Sequence, residues 1–189
     1  MIFENVDPRT LVINEAELTA RLLAPADAER GNISELYESL IAVARPAYVA
    51  ECVKVNTDAS RLYVGTEGTD SHALAKVLSD SSECAVMVAT LGVGVDRLIL
   101  KRAHTSAAEA FILDALADAL IESLCDLAER RVGEGRVSSR FSPGYADLEL
   151  GFGHAIIAMT DAERRLGVKL TESGLMVPKK SVNAIIVLR

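Results

Sequence analysis

The chain has 189 residues, with 27 acids against 20 bases and a formal net charge of −7. Half of the residues are apolar and a quarter are charged, which suits a packed globular core and excludes a disordered chain. Charge of that sign disfavours nucleic acid and membrane lipid as partners, and a chain with no Trp, four Phe and four Tyr lacks a general stacking surface for bases.

The opening segment MIFENVDPRT has no basic region leading into a long apolar run, so it does not read as a signal peptide. No stretch reaches 18 uncharged apolar residues, so no transmembrane helix is expected and the expected compartment is the cytoplasm. A first short helix is predicted over 14–23, with Asn14 as cap and Leu18, Leu22 and Leu23 as apolar contacts; Ala24-Pro25 ends it. A second is predicted over 33–45, carried by Ile33, Leu36, Leu40 and Ile41 and stopped by Pro46. Val49, Cys52 and Val55 suggest a strand over 48–56. Alternation around Leu62 and Val64 predicts another over 59–67. A short helix over 71–78 has Asp70 or Ser71 as its cap. The apolar run Cys84 to Thr90 suits an interior strand and leads through Gly92-Val-Gly94 into a helix near 94–102.

The longest helix is predicted over 106–131. Ser106 and Glu109 match a capping box. Leu113, Leu116, Leu120, Leu124 and Leu127 share one face; Phe111, Ala115, Asp118, Glu122, Cys125 and Glu129 occupy another. Gly133 and Gly135 mark its end. Residues 136–149 read as a loop. A helix follows over 150–159 and a turn of helix over 161–166, capped by Thr160 with Glu163 and closed by Gly167. Val168–Leu170 and Val182–Leu188 are the last strand candidates. With no linker, repeat or low-complexity tract, the expectation is one α+β domain over 1–189. Strands at 59–67, 84–91, 168–170 and 182–188 are expected to share one sheet.

Chemistry-bearing patterns are few. Gly92-Val-Gly94 lacks the third glycine and the later acid of a dinucleotide fingerprint, and reads as a turn after an interior strand. His72, His104 and His154 show no ligand spacing. Cys52, Cys84 and Cys125 form no paired motif and read as buried free thiols. No metal site and no nucleophile elbow is predicted. The segment Arg140-Phe-Ser-Pro-Gly-Tyr145 is different. Proline and glycine shape its backbone, and the arginine offers a rigid five-donor fork suited to a carboxylate. With Glu122 on the preceding helix and Tyr145 folding back, it can surround a zwitterion, the arginine at its carboxylate and the glutamate at its ammonium. The plainer alternative is an Arg140–Glu122 salt bridge with Tyr145 packed as a lid.

At these residues the chain resembles the reactivation domain of cobalamin-dependent methionine synthase. Ala117-Asp118 through Glu122 resembles its long helix with a ligand-facing glutamate. Arg140-Phe-Ser-Pro-Gly-Tyr145 resembles its Arg-x-x-Pro-Gly-Tyr loop. Asp161-Ala-Glu163 with Gly167 to Ser173, and Met176, Pro178, Ser181 and Val182, resemble its closing elements. The resemblance is strongest over 105–189; residues 1–104 supply N-terminal helices and the first sheet strands. It implies an α+β fold with a mostly antiparallel or mixed twisted sheet packed by helices. It also implies S-adenosylmethionine as ligand, with Glu122, Arg140, Ser142 and Tyr145 as binding positions and no acid–base catalytic residue. Cobalamin is implied only through a partner, a corrinoid or methionine synthase module, with a flavodoxin-like reductant. The chain departs from the long enzymes after Tyr145, where Ala146-Asp147 replaces a proline followed by a Cys- and His-containing stretch, and it has no Asp-x-His-x-x-Gly loop for cobalt. The expected role is therefore that of a free-standing relative assisting reductive methylation elsewhere. The alternative is a non-catalytic binding or assembly subunit that kept the fold and lost the ligand. A homodimer is also expected, joined through the N-terminal helices or a sheet edge.

Overall fold

The computed structural model describes residues 1–14, 18, 27–58, 61–134, 136 and 138–188. The main sheet grows around two strands that are apolar on both faces. β5 (Glu83–Thr90) is buried from Cys84 onward, and β9 (Ser181–Leu188) is buried from Asn183 onward. β2 (Ala47–Asp58) flanks β5, and β9 pairs on the other side with β6 (Ser138–Phe141). Beyond β2 come β3 (Arg61–Val64) and β4 (Glu67–Thr69), and β1 (Ile2–Asn5) also pairs with β2. The order is β4-β3-β2-β5-β9-β6, and every pairing is antiparallel. The α+β expectation holds. Among the described residues the sheet contains no parallel strand pair and so no βαβ dinucleotide frame.

The two faces of the sheet carry different side chains. One presents small residues, Ala50, Ala85, Ala89 and Ala184, with Met87 and Ile186. Short side chains let helices come close. That face receives α1 (Asp27–Val43), α3 (Val93–Ala103) and α4 (Ala107–Gly133), a helix about 40 Å long at 1.5 Å per residue. The other face presents Val49, Val86, Val88, Ile185 and Val187 and is covered by α2 (His72–Val77), α5 (Phe152–Thr160) and α6 (Ala162–Leu166). Gly94 is needed where α3 passes α1, since a Cβ there would lie 2.7 Å from the Val43 carbonyl oxygen.

Several expectations need correction. Val168–Leu170 does not join the main sheet. β7 (Lys169–Leu170) pairs with β8 (Met176–Val177) across the Thr171–Leu175 turn, making a separate two-stranded sheet. The strand expected over 59–67 is a hairpin of β3 and β4 turning at Gly65, φ 62°; residues 59 and 60 lie outside the described residues. The predicted loop over 136–149 contains β6, because four residues find a partner edge in β9. Thr160 is not a cap. Its hydroxyl donates back to the Ile156 carbonyl at 2.7 Å, and Asp161 at φ 54° joins α5 to α6. At α4 only half of the capping box forms: the Ser106 hydroxyl accepts from the Glu109 N–H, while the Glu109 carboxylate pairs with Arg102 at 2.7 Å. Cys84 and Cys125 are buried and free as expected, but Cys52 is exposed where β2 leaves the core. Of the first predicted helix, Leu18 donates to the Asn14 carbonyl; Leu22, Leu23 and Ala24-Pro25 lie outside the described residues, as does Gly135. Among the described residues, no helix is long and apolar enough to cross a membrane.

Candidate functional site

β6 is the last strand in the sheet order, and its alternation decides where the Arg140 segment goes. Arg140 lies opposite Ile186, and Phe141 opposite Ile185. Ile186 belongs to the core beneath α4 and Ile185 to the core on the other face. Phe141 follows Ile185 into that second core, at 6% exposure. Arg140 turns the other way, onto α4.

There it meets three carboxylates spaced by four and three residues, which places them on one helix face. Arg140 Nη2 donates to Glu122 Oε2 at 2.8 Å. Nη1 lies 2.9 Å from Asp126 Oδ1, and Nε lies 3.8 Å from Glu129 Oε2. Nη1 is buried, yet Asp126 sits off the direction a hydrogen bond requires, so this contact is an ion pair by distance only. Burial works to lower the Arg140 guanidinium, but Cys125 and the three carboxylates outweigh it and hold it above its ordinary value. Burial pushes the Cys125 thiol up to about 12, so it is protonated and unreactive at neutral pH.

One turn earlier on α4 a second cation is clamped in the same manner. Lys180 Nζ lies 2.8 Å from Asp114 and 2.6 Å from Asp118, and is 11% exposed. Asp114, Asp118, Glu122 and Asp126 thus form a ladder at four-residue spacing, bridged by Lys180 at one end and Arg140 at the other. A cleft of about 210 Å³ opens beside the Lys180 end of this ladder, lined by Asp118, Ile121, Glu122, Lys180, Ser181 and Val182 among others.

The rest of the segment leaves the sheet in a tight turn. Gly144 takes φ 86° and its N–H donates to the Leu148 carbonyl at 2.8 Å; Tyr145 N–H donates to the Ser142 carbonyl at 3.1 Å. A side chain at Gly144 would meet the positive φ and, at 3.2 Å, Leu150 Cδ1. The Tyr145 ring packs edge-on against Phe141, with centroids 5.3 Å apart, and stays exposed. Of the four positions singled out in the sequence, Glu122 and Arg140 are therefore joined directly. Ser142 sits at the turn, and Tyr145 rests on the Phe141 side of the strand.

The turn is held at its far end by Asp147. Its carboxylate accepts from the Ser71 hydroxyl at 2.5 Å, from the His72 N–H at 2.8 Å and from the Ala73 N–H. Ser71 in turn accepts from the Leu74 N–H, as the cap of α2. The Ser71 hydrogen bond, assisted by the two backbone amides, holds the Asp147 carboxyl below its ordinary value. Sequence reasoning gave no role to Asp126, Lys180 or Asp147. The four-residue spacing along 114–126 was the available signal for the first; the other two depend on contacts 62 and 76 residues away in sequence.

No protein-family model matches the chain, and no curated protein does. Among solved structures, the chain is similar to a crystal structure of the MetH reactivation domain bound to AdoHcy, with a TM-score of 0.78 at 17% identity, covering 99% of this chain and 78% of that one. At that identity the likeness is one of fold: a curled antiparallel sheet packed by helices.

Proposed function

We propose that this chain binds S-adenosylmethionine at the Arg140–Tyr145 turn and presents its methyl group to a corrinoid carried by a separate protein. Arg140 holds the ligand carboxylate, Glu122 its ammonium, and Ser142 and Tyr145 border the nucleoside. The observation that carries the reading is the fold, shared with a domain whose structure holds AdoHcy; Arg140 and Glu122 stand together at the outer strand, although their direct pairing is also what the ligand-free alternative expects. The residues suit the ligand. A methionine end needs one cation and one anion close together, and Arg140 and Glu122 supply both. The acid ladder of α4 favours a sulfonium, which adds a positive charge to the zwitterion. Transfer then moves a methyl from sulfur to a reduced cobalt, leaving a thioether. The chain's own task is to orient the donor rather than to move protons. A flavodoxin-like donor would supply the electron that reduces the cobalt.

Isothermal titration with S-adenosylmethionine tests the reading. Binding by the wild type and a loss of roughly 1.5–3 kcal/mol in Arg140→Ala, the worth of a charged hydrogen bond, are expected. No heat and no thermal shift at millimolar ligand would refute it. One observation favours the second reading, an assembly subunit without ligand: Arg140 already faces three acids of its own chain. In that case ligand has no effect, and Arg140→Ala changes stability alone.

A further inference from the structure

We infer that Asp126 is a specificity-determining residue that occupies the carboxylate seat on Arg140 and must leave it when ligand binds. The inference rests on the S-adenosylmethionine reading and adds a residue to it. The three acids around the guanidinium are not equivalent. Glu122 makes a directed hydrogen bond at 2.8 Å. Glu129 is the least exposed and stands farthest off, at 3.8 Å. Asp126 is the most exposed, at 53%, and sits 2.9 Å from Nη1 without the direction of a hydrogen bond. Nη1 is thus a buried donor served by charge but not by geometry. A buried donor left in that condition favours any acceptor that can align with it.

Asp126 also has somewhere to go. On its far side it borders a cleft of about 300 Å³ shared with Leu11, Ser123, Leu127 and Arg130. Arg130 is four residues further along α4, at the spacing where an Asp and an Arg pair on a helix surface. Rotation of the Asp126 side chain toward Arg130 exchanges its ion pair with the buried Nη1 for one at the exposed helix surface and frees Nη1. A ligand carboxylate arriving there makes the directed bond that Asp126 does not. The seat therefore selects ligands that bring a carboxylate good enough to displace Asp126. Ligands lacking one leave Asp126 in place.

The test is titration of wild type and Asp126→Asn with two neutral probes, S-adenosylhomocysteine and 5′-methylthioadenosine, which lacks the amino-acid end. Neither carries net charge, so the chain's overall negative charge weighs little, and what Asp126→Asn removes is the local charge at the Arg140 seat. The expected result is S-adenosylhomocysteine binding about three- to fivefold tighter in Asp126→Asn, the size of one exposed ion pair, with 5′-methylthioadenosine unchanged. Binding by the variant alone would support the inference more strongly still. Unchanged or weaker S-adenosylhomocysteine binding in a wild type that does bind it overturns the inference and leaves the ligand reading standing, and an equal gain for 5′-methylthioadenosine does the same. No binding of either probe by either protein at millimolar concentration overturns both. Asp126→Ala with the same thermal midpoint as wild type repeats the measurement, because the position is exposed.

Discussion

Arg140 and Phe141 are neighbours on one short strand, yet they are held by different physics. Phe141 enters an apolar core with Ile185, Val187 and Leu148 and is held by removal of its ring from water. Arg140 faces α4 and is held by charge, with its guanidinium only partly withdrawn from solvent and three acids around it. The contrast assigns separate tasks to the two halves of the strand. A contact made by burial is strong, undirected and hard to exchange. A contact made by ion pairs at a half-exposed edge is weaker and can be traded for another anion. Fixing the strand falls to Phe141, and the ion pairs of Arg140 are the more exchangeable of the two contacts.

The largest effect should come from Phe141→Ala. Truncating a buried ring costs about 3–5 kcal/mol, and it also removes the surface on which Tyr145 rests. Chemical denaturation reads the loss. A cost under 1 kcal/mol would mean that the strand is not fixed by this face.

Arg140→Ala should cost less, about 2 kcal/mol. That figure lies between the small worth of exposed ion pairs and the 3–5 kcal/mol of breaking a buried one, since the side chain is 22% exposed. Part of the cost is repulsion among Glu122, Asp126 and Glu129 once their cation is gone, so 0.5 M salt should recover some of it. A cost that salt leaves unchanged would point to packing by the arginine stem instead.

The smallest global effect is expected at the other end of the turn. Asp147 has a folded pKa below its unfolded value, so its contribution is complete above the ordinary carboxyl pKa of about 3.9 and is lost as pH falls through the lower folded value. Amide exchange or limited proteolysis of 142–151 should therefore show a turn protected at pH 6 and released in strong acid. Asp147→Ala should release it at every pH, with little change in the strand. A variant whose turn stays protected would show that Gly144 and Leu148 suffice to hold it.

The sequence by itself determined most of the elements, because burial leaves a periodic trace. The run from Cys84 to Thr90 reads as an interior strand since both faces are covered, and the leucines of 113–127 report the side of α4 that meets the sheet. Ser71 and Ser106 were legible as caps, because capping is a contact between near neighbours in the chain. Arg140 and Glu122 stood out together through the shape of the Pro-Gly turn and the acids on a mixed helix face. What only the tertiary structure decided was the partner of each group. Ser138–Phe141 has no strand pattern of its own and becomes β6 because the edge of β9 offers unpaired backbone groups. Val168–Leu170 does look like a strand and is drawn away from the main sheet by a nearer partner, β8. Thr160 and Glu163 match a cap in sequence, yet the threonine bonds backward into α5. Lys180 and Asp147 reach partners 62 and 76 residues away. Such contacts are single hydrogen bonds and ion pairs without periodicity, so they leave no trace in the chain until the sheet and α4 bring their ends together.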